Sequence, residues 1–433
     1  MKLFQLLLSL PLTLILISAC SHQPLVQDHK AINPIVVNPI VPVLDQWQAE
    51  HAQANLTDED ADLWHRIIKA YGFNQDIDNP RVRSQLNWYK KHQGYMDRMA
   101  TRAQRYMYYI AEQIDVRDIP GELALLPIVE SAFDPFAYSH GRASGMWQFV
   151  PGTGKRFGMK QNWWYDGRRD VHASTKAATK YLKQLAKRFD NDWLLALAAY
   201  NAGGGNVNRA VRRNRNKNKA TDYWSLNLPN ETLYYVPKLL ALAKIFANAK
   251  EYGITLKKLE HKPYFSIVNI GSQLDLAKAA ELSAMSIDDI FQLNPGFNRG
   301  FTPPKGPHHL LIPVDKVSQF EENLALLPSE QRVKWQRHKI KSGENLSVIA
   351  QHYKIKTSVL RSVNHIKNNQ IRAGKHLYIP ISQVSTKNNP FIRANLTNPQ
   401  NKYPSYTVKS GDSLWSIARK LDLHSKDIAR WNK

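Results

Sequence analysis

The sequence predicts a multidomain α+β chain, an α-helical domain followed by small βααβ modules. Two observations carry this. Helix-period patterns dominate to about residue 250, and nothing before residue 255 alternates with period two. Beyond that point the texture changes to a short unit that recurs along the chain. With 433 residues, 43% of them hydrophobic, the chain has material for more than one core.

Residues 1–19 combine Lys2, an apolar stretch through Ile17 and small residues ahead of Cys20. That is the pattern of a secretory signal, too short for a comfortable transmembrane span. Cys20 is the only cysteine, so no intramolecular disulfide can form. The stretch Ile-Ser-Ala-Cys resembles the bacterial lipobox. This implies acylation of Cys20 and a lipid-anchored envelope protein, because several acyl chains anchor stably where one holds weakly. Ser21, standing where inner-membrane retention usually has Asp, points to the outer membrane, facing the periplasm. Residues 20–55 mix Pro, Val, Asn and Gln without period and read as a tether.

The helical domain is expected over 56–255. It opens with LTDEDADLWHRIIKAYGF (56–73), where acidic residues precede an amphipathic run, a sound helix start. Further helical patterns occupy 88–114, 176–189 and 234–250.

The recurring unit follows. KIKSGENLSVIAQHYKIKTSVLRSVNHI (339–366) matches TVKSGDSLWSIARKLDLHSKDIARWNK (407–433) without gaps, and Leu346 to Asn364 spans 18 positions, as does Leu414 to Asn432. A weaker copy at 271–297 repeats the spacing from Leu276 to Asn294. Each reads as strand, Gly turn, helix, helix, strand, over 264–315, 338–381 and 405–433, with a polar, Pro-punctuated linker at 382–404. These units resemble the LysM module, which implies binding of N-acetylglucosamine polymers such as peptidoglycan. The unit 338–381 is a close match. The unit 405–433 reaches Lys433 without a closing strand, so the former is expected to carry most of the specific affinity. The 264–315 unit diverges at its entry, VNIGSQLD in place of VKSGDSL. The formal charge of +23 concentrates here: residues 331–433 hold 20 Lys and Arg against 4 Asp and Glu, a net +16. Such a tail suits an anionic polymer, whether nucleic acid, lipid headgroups or cell wall, or is simply a solvated basic surface.

Chemistry centres on IVESAFDPFAYSHGRASGMWQFVPGTG (128–154), where Glu130 ends an apolar run. Leu125, Leu126, Val129, Ala132 and Phe133 mark one face of a helix, which Pro127 is expected to kink and Asp134-Pro135 to end. Glu130 then lies near the helix C-terminus, where exposed carbonyls disfavour negative charge, among apolar neighbours that add desolvation. Both effects favour the neutral acid that proton donation requires. Glycoside cleavage commonly uses two carboxylates, and no second one is placed by the sequence. Asp134, Asp166 and Asp170 read as caps and turns. His308, His309 and His352 lack metal-ligand spacing, and Gly203-Gly204-Gly205 lacks the strand and the Gly-Lys-Ser/Thr of a phosphate loop, so neither metal nor cofactor is expected. Trp163 and Trp164 fit sugar stacking and core filling equally.

Four motifs occur in series: ES at 130–131, GMWQ at 145–148, AYNAG at 199–203 and ETLYYV at 231–236. In this order, across roughly 115–240, the chain resembles the family 1 lytic transglycosylases. The resemblance implies a goose-type-lysozyme-like fold and cleavage of the β-1,4 bond from N-acetylmuramic acid to N-acetylglucosamine. It makes Glu130 the catalytic acid and base, has Gln148, Tyr200 and Asn201 line the sugar subsites, lets Tyr235 orient Glu130, and makes Ser139 a further sugar contact. It also implies why one carboxylate suffices. Glu130 protonates the leaving oxygen, the substrate's 2-acetamido group shares the charge, and the ionised Glu130 takes the proton from the C6 hydroxyl as it closes the 1,6-anhydro ring. The implied partner is the glycan strand of peptidoglycan, with no nucleic acid, for a monomeric enzyme. Two other readings stay open, a hydrolytic muramidase on the same fold and a non-catalytic wall-binding protein.

Overall fold

The computed structural model describes residues 62–381 apart from 140, 365 and 367. The signal sequence, Cys20, the tether, the linker 382–404 and the unit 405–433 lie outside the described residues. Among the described residues no helix is long and apolar enough to cross a membrane. The Asp62 side chain caps helix α1 (Leu63–Lys69) by accepting from Trp64 N at 3.1 Å. Its buried face, Leu63, Trp64 and Ile67, has helical spacing. The start and end of the helical region meet: Leu63 N donates to Leu259 O at 2.8 Å, and Trp64 Nε1 to Lys257 O at 3.0 Å.

The helical pattern across 88–114 resolves into the end of α2 (Pro80–Lys90), then α3 (Gln93–Ala103) and α4 (Met107–Asp115). Pro80 occupies the first turn of α2 behind the Asn79 cap, where its missing N–H costs nothing. Trp88, Tyr89, His92 and Tyr95 pack ring to ring at the α2–α3 turn. A 3₁₀ segment (Gly121–Leu125) runs into α5 (Leu126–Ser131), followed by α6 (Pro151–Arg156), α7 (Val171–Arg188), α8 (Trp193–Ala202), α9 (Gly204–Arg215) and α10 (Asn230–Ala247). Leu195 to Ala199 of α8 are all buried, and α10 buries eleven residues, so these two helices form the apolar centre.

Pro127 does not kink a helix. The chain before it is 3₁₀, α5 begins at Leu126, and Pro127 sits in the first turn. The helix also stops earlier than Asp134-Pro135, at Ser131, because Ala132 and Phe133 both take left-handed backbone angles, φ 50 and φ 56. Phe133 is fully buried, and its packing holds a conformation that side-chain sterics disfavour.

The first module pairs β1 (Phe265–Asn269) with β2 (His309–Pro313) antiparallel, Phe265 opposite Pro313 and Asn269 opposite His309. Helices α11 (Leu276–Leu282) and α12 (Ile287–Leu293) lie between them. Helix α13 (Val317–Leu326), which the sequence reading left outside 264–315, puts Phe320 and Leu324 into the same core. Trp164 and Tyr165 of the helical domain join that core too. The second module repeats the plan with β3 (Trp335–Lys339), α14 (Leu346–His352), α15 (Thr357–Val363) and β4 (His376–Pro380), Trp335 opposite Pro380. Its small core is Ile340, Leu346, Ile349, Ala350, Leu360, Leu377 and Ile379.

The asparagine of the repeat has a mechanical reason. Asn294 Nδ2 donates to Ile290 O at 3.0 Å and Leu311 O at 2.9 Å, while its Oδ1 accepts from Leu311 N at 2.8 Å. Asn364 does the same, donating to Leu360 O and Tyr378 O and accepting from Tyr378 N at 2.6 Å. One side chain thus closes the second helix and clamps the last strand, satisfying groups that would otherwise be left unpaired.

Candidate active site

Glu130 is the penultimate residue of α5, and its Oε1 accepts a hydrogen bond from the Tyr235 hydroxyl of α10. Burial of the carboxyl pushes its pKa up to about 8. The Tyr235 hydrogen bond and Lys238 oppose the rise, and Glu231 adds to it. Part of the residue still faces solvent, so the acid is enclosed but reachable. The Tyr235 hydroxyl is driven well above its ordinary range by burial, then by the Glu130 charge, so it remains a donor. Carbonyls at the end of α5 and just past it are served from α3: the Tyr95 hydroxyl donates to Ile128 O at 3.2 Å and Arg102 Nη1 to Ala132 O at 3.2 Å.

The segment 137–149 folds beside Glu130 as a tight loop. Its bridges pair Tyr138 with Ser144 and Ser144 with Phe149. Ser139 builds the loop tip, its Oγ accepting from Ala143 N at 3.0 Å. Gln148 has φ 47 and turns its amide nitrogen back on the loop, donating to Gly145 O at 2.8 Å and Ala137 O at 3.3 Å. Gly145, at φ 83, lies so close to the Arg168 carbonyl that a Cβ there would meet Arg168 O at 2.1 Å. Three groups tie the loop down near the acid. Ser131 Oγ donates to Met146 O at 3.0 Å, the Tyr200 hydroxyl donates to Trp147 O at 2.8 Å, and the buried Trp147 indole donates to Thr175 Oγ1 at 3.0 Å. Tyr200 itself is pushed well above its ordinary range by burial and then by the charge of Glu130. Asn201, the next residue of α8, accepts from Thr232 Oγ1 at 2.7 Å and donates to Glu231 Oε1 at 3.1 Å, joining α8 to the start of α10.

The structure therefore gathers Glu130, Tyr235 and Tyr200 around one carboxyl, with Gln148 on the adjoining loop and Asn201 on the adjoining helix end. Ser139 stands farther along the loop as a turn-forming residue. Three residues were missed by sequence reasoning. Glu231 is an exposed second carboxylate acting on Glu130. It opens ETLYYV, four residues before Tyr235 and so on the same helix face, which was the available signal. Ser131 lies in the ES motif, where its role in bonding Met146 O is not visible from sequence. Arg168 gives no motif signal, because it acts on the carbonyls of Arg142 and Phe149. Asp134, Asp166 and Asp170 each accept a backbone N–H two or three residues on, from Phe136, Arg168 and Ala173. Another buried carboxylate, Glu122, is pinned by Gly72 N, Phe73 N and Gln75 Nε2 and serves a turn. Trp164 fills the core of the first module, while Arg299 covers Trp163 at 4.3 Å from its ring centre. Among the described residues no cluster of His, Cys, Asp or Glu could hold a metal ion.

Successive parts of the chain match known families. Residues 107–223 match the transglycosylase SLT domain, 264–329 the LysM-like domain of lytic transglycosylase MltD, and 338–380 and 406–433 the LysM domain. The chain is 37% identical over 383 residues to membrane-bound lytic murein transglycosylase D of Escherichia coli strain K12, covering 86% of this chain and 82% of that protein. It is 30% identical over 137 residues to membrane-bound lytic murein transglycosylase F of Desulfosudis oleivorans, 30% of this chain and 29% of that protein.

Proposed function

Since the chain belongs to the family of membrane-bound lytic murein transglycosylase D, we propose that it is a peptidoglycan lytic transglycosylase with Glu130 as its single acid and base. It cleaves the β-1,4 bond from N-acetylmuramic acid to N-acetylglucosamine and leaves a 1,6-anhydro end, an activity suited to wall turnover. The observation that carries the reading is the enclosed Glu130 carboxyl held by the Tyr235 hydroxyl. Burial keeps the proton on Glu130 near neutrality, ready for the leaving oxygen. Once the proton has gone, the Tyr235 hydrogen bond supports the carboxylate that accepts the proton of the C6 hydroxyl. Both transfers use groups already in place, so positioning supplies much of the rate. Gln148 commits its amide nitrogen to the loop, leaving its carbonyl oxygen to accept from a sugar hydroxyl. Tyr200 and Asn201 shape the adjoining subsites, with Ser139 at the far end.

Glu231 favours one rival, since a carboxylate beside the acid could activate water and give hydrolysis instead. Mass spectrometry of products from purified peptidoglycan decides: anhydro ends are lighter by one water, and reducing ends as the main product would reject the transglycosylase. Glu130→Gln keeps the shape without the proton. It should lower turnover at least about a thousandfold, in line with loss of an essential acid, while wall binding persists. The acid must be protonated to act, so turnover should fall as pH rises through about 8.

The second module and the 406–433 unit bind the glycan, and Cys20 carries the lipid that holds a monomeric enzyme at the outer membrane, facing the periplasm. Cys20→Ser should move the protein from the membrane fraction to the soluble one. Persistence in membranes would reject the anchor.

A further inference from the structure

We propose that the turn 294–298 of the first module is a positioning element for the catalytic loop, acting through Arg168. The proposal rests on Glu130 and the 137–149 loop being the site of cleavage, as argued above. It assigns the divergent module a role in turnover rather than in holding the wall.

Contacts run in one unbroken series. In the turn, Gly296 O accepts from Asp166 N at 2.8 Å, and Asn298 N donates to Trp164 O at 2.8 Å. Asn298 Nδ2 donates to Asn162 O at 2.9 Å, and its Oδ1 accepts from Arg169. Gly296 lies flat on the helical domain, where a Cβ would come within 2.9 Å of Tyr165 Cε2 and 3.0 Å of Asp170 Cβ. The segment 162–169 is thus held on its module side at four points.

Its other side holds the loop. Arg168 is 1% exposed. Its guanidinium grips both Asp166 carboxylate oxygens, at 2.9 and 2.6 Å, and turns Nη1 to Arg142 O at 2.6 Å and Phe149 O at 3.1 Å. Those carbonyls sit on either side of the Gly145–Gln148 turn, and the Arg168 carbonyl itself is the surface against which Gly145 packs. A planar fork can serve a carboxylate and two carbonyls at once, which a lysine ammonium cannot do with the same geometry. Because the loop end bearing Met146 and Trp147 is bonded to Ser131 and Tyr200, any shift of Arg168 reaches the residues flanking Glu130.

The test compares full-length Gly296→Ala, Asn298→Ala and Arg168→Lys with the parent protein on peptidoglycan. Circular dichroism and melting establish that each is folded. For Gly296→Ala and Asn298→Ala, kcat should fall about tenfold, the scale of a misplacement transmitted from outside the chemistry, with KM within about twofold. Arg168→Lys should fall further, and the pH at which kcat declines should shift downward as water reaches Glu130. The asparagine variant keeps the test open if the buried ones do not fold. Folded module variants with unchanged kcat, or with the whole loss in KM, overturn the proposal. The parent reading fails separately: a wild-type protein that releases reducing ends rejects the anhydro chemistry but leaves the kcat comparison in force.

Discussion

The two modules share one plan and are used in opposite ways. Both pair five-residue strands antiparallel and close with the same asparagine clamp. The first turns its surface inward. Its His309 bonds Asp170 at 3.0 Å, its Phe297 packs on Tyr165, its Asp289 pairs with Arg105, and Tyr106 of the helical domain donates to Gln292 O at 2.8 Å. The second has a small core of its own, lends Val359 and Val363 to the core of the first, and leaves Trp335, Val348 and Tyr378 exposed. A repeat therefore fixes a fold and not a task. What decides the task is which surface is spent on a neighbour, and the first module has spent the loop after its second helix.

The largest expected effect breaks the inward side. Burial works against the charge of His309, but Asp170 outweighs it and leaves the imidazole above its ordinary value. Burial likewise opposes the Asp170 charge, and His309 holds the carboxyl below its usual range. Asp170→Ala removes this pair together with the α7 cap and should cost about 3–5 kcal/mol in denaturant unfolding, the scale for breaking a buried pair. The raised His309 gives stability that is fully present below its unfolded value and lost as pH rises through its folded one. The depressed Asp170 gives stability lost as pH falls through its own. The difference between wild type and variant should therefore peak between the two, and a gap that does not change with pH would show that the seam is packing alone.

A matched pair of substitutions sharpens the comparison. Asn294→Ala and Asn364→Ala delete the same clamp, and each should cost about 1–3 kcal/mol for the strand and helix groups left unpaired. Hydrogen exchange should show the first loosening the helical domain as well, through the shared core, and the second loosening 335–380 while the helical domain is unchanged. Equal local effects would mean that the first module is as separable as the second.

The smallest effect on the fold is expected from removing 338–433. Sedimentation with peptidoglycan should weaken about tenfold or more, while cutting of soluble fragments is unchanged. If sugar recognition by the second module carries the binding, it should survive 1 M salt, where the Debye length falls to about 3 Å, and yield to chito-oligosaccharides. Loss in salt with indifference to the sugar would make this region a basic tether.

Much of this was legible before any coordinates. Helical texture, the Leu-to-Asn spacing and the four motifs located the domain, the modules and Glu130, because each depends on residues near in sequence. Its raised pKa was foreseeable too, although burial rather than the helix end supplies most of it. What escaped depends on long-range packing. Glu231 counts only because α10 carries it to the mouth of the site. Arg168 was invisible because its partners, Arg142 and Phe149, are carbonyls that no side-chain pattern reports. Pro127 misled because the 3₁₀ turn before it makes it the start of a helix. The divergence of the first module shows in the sequence at its entry, VNIGSQLD, while its contact with the helical domain lies in a different loop, 294–298.

The closure of the helical domain on itself has a mechanical side. Leu63 and Leu259 are hydrogen-bonded neighbours, and Leu259 N also reaches the Asp62 carboxylate at 3.2 Å. A pull on the chain before residue 62, opposed by a pull after residue 260, enters and leaves the domain at nearly one point. The load is shared between this short bridge, with the indole bond beside it, and the seam where the first module holds Asp170, Arg105 and the segment 162–169. Tension on the chain would therefore act on the same seam that sets the loop beside Glu130.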